Sequence, residues 1–369
     1  MQIDPIDRST RNLLTSSVRQ EFKTGLELFL RFDDCVFLIE TNEKQLDEKL
    51  RNYFSAFVID PRNPDIVVTA HEAPALSLCL DLTEKQPDPG KHKIKEEFAE
   101  IEGGRVVRKR LTGMVFIFGN GDNLAVGPCL ENDNQVINFI NNRYIEWRLN
   151  QGGVLGHAAG VSLNGRGIAL AGFSGMGKST LALRILGLGA NFVSNDRLIV
   201  QAWGEKINMY GVAKHPRINP GTILNNKDIE AIIPENQRQL YQKLTPNELW
   251  MLEHKYDAPI HEYYGKGRFI LHSTMNALVI LNWKQGGEKA EFNQIKITER
   301  MDLLPAFMKE TGLFYHAKNG RKISSPSFED YIDILSNCEV FEITGGADFD
   351  QAAHFCREYL TGTGKENKE

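Results

Sequence analysis

The sequence predicts an α/β fold. Three observations predict it. Short apolar runs with strand spacing alternate with amphipathic helical segments along most of the 369 residues. One apolar run, residues 168–171, passes through a glycine-rich turn straight into a helical segment. The chain then closes on a strand followed by a helix. With 41% hydrophobic residues, it can bury the core of one large domain or two ordinary ones.

Residues 9–32 place Leu14, Val18, Phe22, Leu26, Phe29 and Leu30 at helical spacing. An amphipathic helix is expected there, docked on its own domain or held out as a partner-binding arm. Residues 35–41 read as a strand. Residues 43–57 read as a helix with Leu46, Leu50 and Phe54 four apart, and residues 65–70 as another strand. Residues 81–104 are polar and rich in Pro, Gly and charge, which marks an expected boundary or exposed excursion. Residues 105–119 and 123–126 read as a strand pair joined at Asn120-Gly121-Asp122. The basic run from Arg105 to Arg110 is expected on a solvated sheet edge. Residues 135–149 read as a helix, 340–344 as the closing strand and 348–360 as the closing helix. The expected organisation is an N-terminal α/β region over 1–100, a larger domain over 101–362 and a frayed tail over 363–369.

Bulk properties exclude several classes. With 48 acidic and 43 basic residues, the formal charge of −5 offers no general attraction to nucleic acid or to an anionic membrane. The first residues carry no basic and apolar signal pattern, and no run of eighteen apolar residues occurs. The five cysteines are scattered without a CxxC pair, as expected of reduced thiols in a cytoplasmic protein.

The turn after residues 168–171 is Gly172-Phe-Ser174-Gly175-Met176-Gly177-Lys178-Ser179, a full match to G-x-x-x-x-G-K-[ST] between a strand and a helix. Glycines at 172, 175 and 177 let the backbone curl with its N–H groups turned inward. Together with the positive end of the helix dipole, those donors cradle phosphate oxygens. Lys178 supplies a cation to the β/γ-phosphates, and Ser179 offers a hydroxyl to Mg²⁺. Gly172, Ser174, Gly175, Met176, Gly177, Lys178, Ser179 and Thr180 are therefore expected to line the phosphates of ATP.

A phosphate loop of this kind needs a nearby carboxylate. Asp196 lies eighteen residues beyond Lys178, in the polar break Asn195-Asp196 between two strand-like runs. That short spacing suggests a strand directly beside the loop's own strand. Asp196 is the expected second metal ligand with Ser179, or the base. Lys214 and Arg217, in a loop stiffened by Pro216 and Pro220, are candidate cations for a transferring phosphoryl group. Arg268 is a weaker candidate of the same kind, and residues 253–257 carry side chains suited to a polar site.

The form G-x-S-G-x-G-K-S, followed by a helix and a strand ending in an acidic pair, with a histidine fifteen positions before the first glycine, resembles the HPr kinase/phosphorylase superfamily. Here that histidine is His157. Residues 156–197, with 214–225 downstream, are most similar to the HPr-kinase-related kinase B group. The resemblance implies a fold related to phosphoenolpyruvate carboxykinase, with a mixed sheet around the loop. It also implies a kinase using ATP and Mg²⁺, in which Asp196, with His157, accepts a proton from a hydroxyl acceptor, and Lys178 and Arg217 bind phosphates. The acceptor could be a protein serine or a small molecule. Two departures stand out: the acidic pair is Asn195-Asp196, and the family's His-Gly-Val is His157-Ala-Ala. The lost carboxylate supports a second reading, a nucleotide-gated switch with little transfer. No LSGGQ-like signature and no distant strand ending in Asp-Glu points to a transport ATPase. The N-terminal region, which has no phosphate motif, is expected to select the acceptor or a partner. The sequence leaves a homo-oligomer open.

Overall fold

The computed structural model describes residues 9–87, 92–245, 248–249, 252, 254–284, 286, 289–317 and 326–362. It is an α/β protein that divides into two compact units. One comprises residues 1–150 and 311–322, and the other comprises 151–310 and 323–369.

The first unit is built on eight strands: β1 (Leu26–Phe32), β2 (Cys35–Thr41), β3 (Ile66–Glu72), β4 (Thr83–Glu84), β5 (Glu96–Ile101), β6 (Gly104–Lys109), β7 (Val115–Gly119) and β8 (Asp122–Gly127). They form one mixed sheet in the order β1-β2-β3-β8-β7-β6-β5-β4. Cys35, Phe37 and Ile39 alternate inward along β2 and bury fully, the two-residue period of a half-covered strand. The helix α2 (Lys44–Tyr53) buries Leu46 and Leu50 and makes the crossover that lets β2 and β3 run parallel. The helix α3 (Asp133–Leu149) carries two buried arginines. Arg148 reaches Asp33 and Asp34. Arg143 lies 4.2 Å over the Phe118 ring and donates to the Phe314 carbonyl, while the Glu146 carboxylate accepts from the His316 N–H at 2.7 Å. A buried guanidinium needs such acceptors and aromatic faces. They hold residues 311–317 in this unit.

Four expectations change here. The helix expected over residues 9–32 is α1 (Ser9–Glu21) alone; Leu26, Phe29 and Leu30 belong to β1, where Leu28, Leu30 and Phe32 alternate into the core. Leu26 and Leu30, four apart, fit both periods, whereas Phe29 fits only the helical one and faces the other side of β1; pairing with β2 decides. The expected domain boundary near residue 100 falls inside β5, whose hydrogen bonds to β6 continue the same sheet; the compact unit runs to Asn150. The basic run of β6 is not at an edge, because β6 lies between β5 and β7, and Arg105, Arg108 and Lys109 pair with Glu100, Glu97 and Glu96 across the β5–β6 ladder. Residues 105–119 are two strands, not one. The hairpin turn itself stands as expected, with φ of 47° at Asn120 and 91° at Gly121. The tail over 363–369 lies outside the described residues.

The second unit contains β9 (Val154–Gly156), β10 (Ala158–Leu163), β11 (Arg166–Gly172), β12 (Asn191–Ser194), β13 (Leu198–Trp203), β14 (Lys206–Tyr210), β15 (Arg217–Ile218), β16 (Tyr256–Asp257), β17 (His272–Thr274), β18 (Ala277–Leu281), β19 (Glu291–Ile295) and β20 (Glu339–Thr344). The main sheet is mixed, in the order β12-β10-β11-β18-β20-β19. Its centre, β11-β18-β20, is parallel and its flanks are antiparallel. Ala169, Ala171, Leu278, Ile280 and Val340 build one core cluster with Val193, Leu198, Phe307 and Tyr331. A second sheet runs β17-β14-β13-β9. The helix α4 (Lys178–Gly187) buries Leu181, Ala182, Leu183, Ile185 and Leu186. The closing helix Phe349–Thr361 packs beside it, capped by the Asp348 carboxylate accepting from Gln351 N–H at 2.9 Å.

β12 does not lie beside β11, as the short spacing suggested. The hairpin β10–β11 turns tightly at Asn164-Gly165 (φ 52° and 77°) and occupies that edge, so β10 separates the two strands.

Candidate active site

The centre of the site is the turn from β11 into α4. β11 is buried from Gly167 onward, as expected of a central parallel strand. At its carboxyl end the chain must reverse into α4 within a few residues, and Gly175 (φ 84°) and Gly177 (φ 88°) supply the left-handed backbone. A Cβ on Gly177 would stand 2.5 Å from the Phe349 ring, so no side chain fits. Trp283 Nε1 donates to the Met176 carbonyl at 2.9 Å, and its indole meets the Phe349 ring edge-on at 4.9 Å. The loop is thus pinned from below by two aromatic residues, while Ser174 and Gly175 stay exposed.

Lys178, the first residue of α4, is 8% exposed. Its Nζ donates to the carbonyls of Gly172 at 2.6 Å and Phe173 at 3.4 Å. Burial pushes its pKa down to about 8; the Lys309 charge pushes the same way and the Asp196 charge opposes. Ser179 is half-buried in the first helical turn. Thr180 is tied by its hydroxyl to that of Thr222 at 2.9 Å.

Asp196 sits in the break between β12 and β13, its side chain 54% exposed. His157 lies between β9 and β10, fixed by its N–H donating to the Phe307 carbonyl at 2.6 Å. Its Nε2 stands 3.0 Å from Asp196 Oδ1. Lys309 Nζ stands 3.1 Å from Asp196 Oδ2. Desolvation works against ionisation of Asp196. The hydrogen bond from His157 and the Lys309 charge outweigh it and hold the carboxyl well below the usual carboxylate range. Sequence reasoning missed Lys309. It arrives because Met308 bridges Gly156 and Tyr331 braces both segments, its hydroxyl donating to the Leu155 carbonyl at 2.6 Å and accepting from Lys309 N–H at 3.2 Å.

The other cations divide. Lys214 is pushed down to about 8, first by burial and then by the Arg197 and Arg217 charges, against the pull of Asp257 and Asp196. It is therefore within electrostatic reach of both carboxylates. Arg217 is 53% exposed and pairs with Asp257 at 3.5 Å across the β15–β16 ladder, so it is held less firmly than its proline-rich loop suggested. Arg268 is not a phosphate ligand candidate: its guanidinium donates to the Leu186 carbonyl at 2.8 Å and to the Ala190 carbonyl, closing the C-terminal end of α4. Of residues 253–257, Tyr256 and Asp257 form β16, and Glu253 lies outside the described residues.

The oxygen donors suit Mg²⁺. Among the described residues no three His, Cys, Asp or Glu side chains cluster as a metal cage. Mg²⁺ needs none, since it is held by one or two carboxylates together with substrate phosphates and water. The Asp196 carboxylate and the Ser179 hydroxyl are such donors, and the amide oxygen of Asn195 is buried without a hydrogen-bond partner.

No family model and no curated relative matches the chain. Among solved structures, the HPr(Ser) kinase/phosphatase from Coxiella burnetii is similar at 10% sequence identity and a TM-score of 0.30, over 57% of this chain and 95% of that one. Among the described residues, no helix is long and apolar enough to cross a membrane.

Proposed function

We propose that the chain is an ATP-dependent phosphotransferase of the HPr-kinase type, moving the γ-phosphoryl group to a hydroxyl on a protein serine or a small molecule. The observation that carries this reading is the His157–Asp196 pair, 3.0 Å apart, in the same unit as a glycine loop whose buried lysine feels the Asp196 charge. The backbone N–H groups from Gly172 to Ser179, with Lys178, bind the β- and γ-phosphates. Ser179 and Asp196 hold Mg²⁺, which neutralises phosphate charge when bound. Lys309 and Lys214 place further positive charge where a dissociative transition state gathers negative charge. A carboxyl held as low as Asp196 is a strong charge but a weak base. Its role beside His157 is to orient the imidazole, which takes the proton as the acceptor O–H bond breaks, the new O–P bond forms and ADP departs.

Asn195 favours a second reading. An amide cannot take a proton, so a protein lacking one carboxylate could bind ATP and change conformation with little transfer. Incubation with γ-labelled ATP and fractions of a source-cell extract separates the two. Label in a phosphoester supports the kinase; tight ATP binding without labelled product supports the switch.

A further inference from the structure

The chain that leaves β14 is a strap tied down on both sides of the candidate active site. At its start, Gly211 packs so closely on β12 that a Cβ would collide with the Val193 carbonyl. Val212 N–H donates to the Ser194 hydroxyl at 3.5 Å, two residues before Asp196, and that hydroxyl donates to the Arg197 carbonyl. At the far end, the Thr222 hydroxyl bonds that of Thr180 in the first turn of α4. Pro216 and Pro220 stiffen the span between, and Ala258 N–H holds the Pro216 carbonyl at 2.9 Å. The strap therefore runs from the Asp196 break to the start of the glycine-loop helix.

It carries Lys214 and Arg217. Lys214 feels Arg197 and Arg217 as like charges and Asp257 and Asp196 as opposite ones, and Lys309 stands 3.1 Å from Asp196. Among these groups, four cations meet two carboxylates, in a chain whose formal charge is −5. Lys178 and the loop N–H groups already serve the nucleotide in the proposed mechanism, so this surplus is available to a second anion. Arg217 is the member with donors to spare. Its one ion pair among the described residues is the 3.5 Å contact of its Nε with Asp257, and it donates no hydrogen bond there. A guanidinium so placed suits a planar oxyanion. Lys214 and Arg217 are three residues apart, a span of at most about 10 Å, so together they address one anionic group rather than an extended surface.

We infer, resting on the kinase reading, that the strap is the acceptor subsite and that the acceptor is a small molecule whose hydroxyl lies a few bonds from an oxyanion, a carboxylate or a phosphate, which docks on Arg217 with Lys214 beside it. Calorimetric titration of the full chain, saturated with Mg²⁺ and a non-hydrolysable ATP analogue, tests it with glycerate, glycerol 3-phosphate, glycerol and inorganic phosphate. Glycerate or glycerol 3-phosphate should bind saturably and at least tenfold more tightly than glycerol; which of them binds distinguishes the two oxyanions. Arg217→Gln should weaken that binding at least tenfold, and Arg217→Lys should restore part of it. Arg217 is 53% exposed, so its replacement leaves the fold intact. No binding of either hydroxy-oxyanion, glycerol binding as tightly, binding of inorganic phosphate alone, or binding that Arg217→Gln leaves untouched overturns the assignment. So does γ-labelled ATP labelling a protein serine equally well in wild type and Arg217→Gln. Failure of the kinase reading looks different: the oxyanion binds in the Arg217-dependent way, and labelled ATP yields no phosphoester of it.

Discussion

Asp196→Asn keeps the shape of the side chain and removes its charge. Asp196 makes two contacts, to His157 at 3.0 Å and Lys309 at 3.1 Å, and its side chain is 54% exposed. Ion pairs at that exposure are worth little, so the stability cost is about 1 kcal/mol or less. For a domain of this class that moves the melting temperature by about 2–4 °C. Asp196 also stays ionised at any working pH, because its carboxyl is held well below the ordinary range. The stability from its pairing is fully present at neutral pH, starts to decline as pH falls below the ordinary carboxylate pKa, and is gone once acid has passed the low folded pKa. Transfer is another matter. Without the carboxylate, His157 loses the charge that orients it, and phosphoryl transfer should fall by about 100-fold or more. ATP affinity should change by less than about tenfold, since the proposed phosphate contacts come from the loop and Lys178. Calorimetry with Mg·ATP, a thermal melt and a transfer assay on one preparation read all three quantities. Transfer close to wild type, or a melt that collapses with it, would refute the reasoning.

Lys178→Ala should abolish most ATP affinity, read by the same titration. The lysine pKa of about 8 makes a separate prediction: ATP affinity declines as pH rises through about 8. Ligand-free stability moves oppositely, because between about pH 8 and the ordinary lysine range the unfolded chain binds more protons, so stability rises there; Lys178→Met should flatten both profiles. Gly177→Ala meets both a φ of 88° and the Phe349 ring at 2.5 Å, whereas Gly175→Ala meets a φ of 84° with open space. Left-handed strain alone costs about 1–2 kcal/mol, so Gly177→Ala should lower the melting temperature more and weaken ATP binding at least tenfold, and equal effects would contradict the pinned loop. Lys309→Met should cut transfer by about 100-fold with a smaller change in ATP affinity, and ordinary kinetics in that variant would remove Lys309 from the site.

The glycine loop was legible because local spacing specifies it: a strand, a turn that only glycine allows, and a helix. Asp196 stood out as a carboxylate in a polar break, and His157 entered only through the resemblance. Lys309 was not. It is 113 residues from Asp196 in sequence and reaches it only through the Met308–Gly156 bridge and the Tyr331 hydroxyl, which no local pattern encodes. Arg268 shows the converse. A lone arginine after glycines reads as a phosphate contact, yet the unsatisfied carbonyls at the end of α4 claim it. In the first unit, α2, α3 and the Asn120-Gly121 turn followed from period and turn chemistry. The β1 strand did not, because Leu26 and Leu30, four apart, fit a helix and a strand alike. The place of β5 and β6 inside one sheet rests on long-range pairing, which is why a polar stretch at 81–104 looked like a boundary.

The central claim is that ATP is spent on a phosphoester. ³¹P NMR of Mg·ATP turning over with the protein and source-cell fractions tests it most directly. The account predicts ADP appearing in step with a new phosphoester resonance, and neither appearing with the Lys178→Ala protein. ADP matched by inorganic phosphate, or no ADP at all despite saturating ATP, would contradict it.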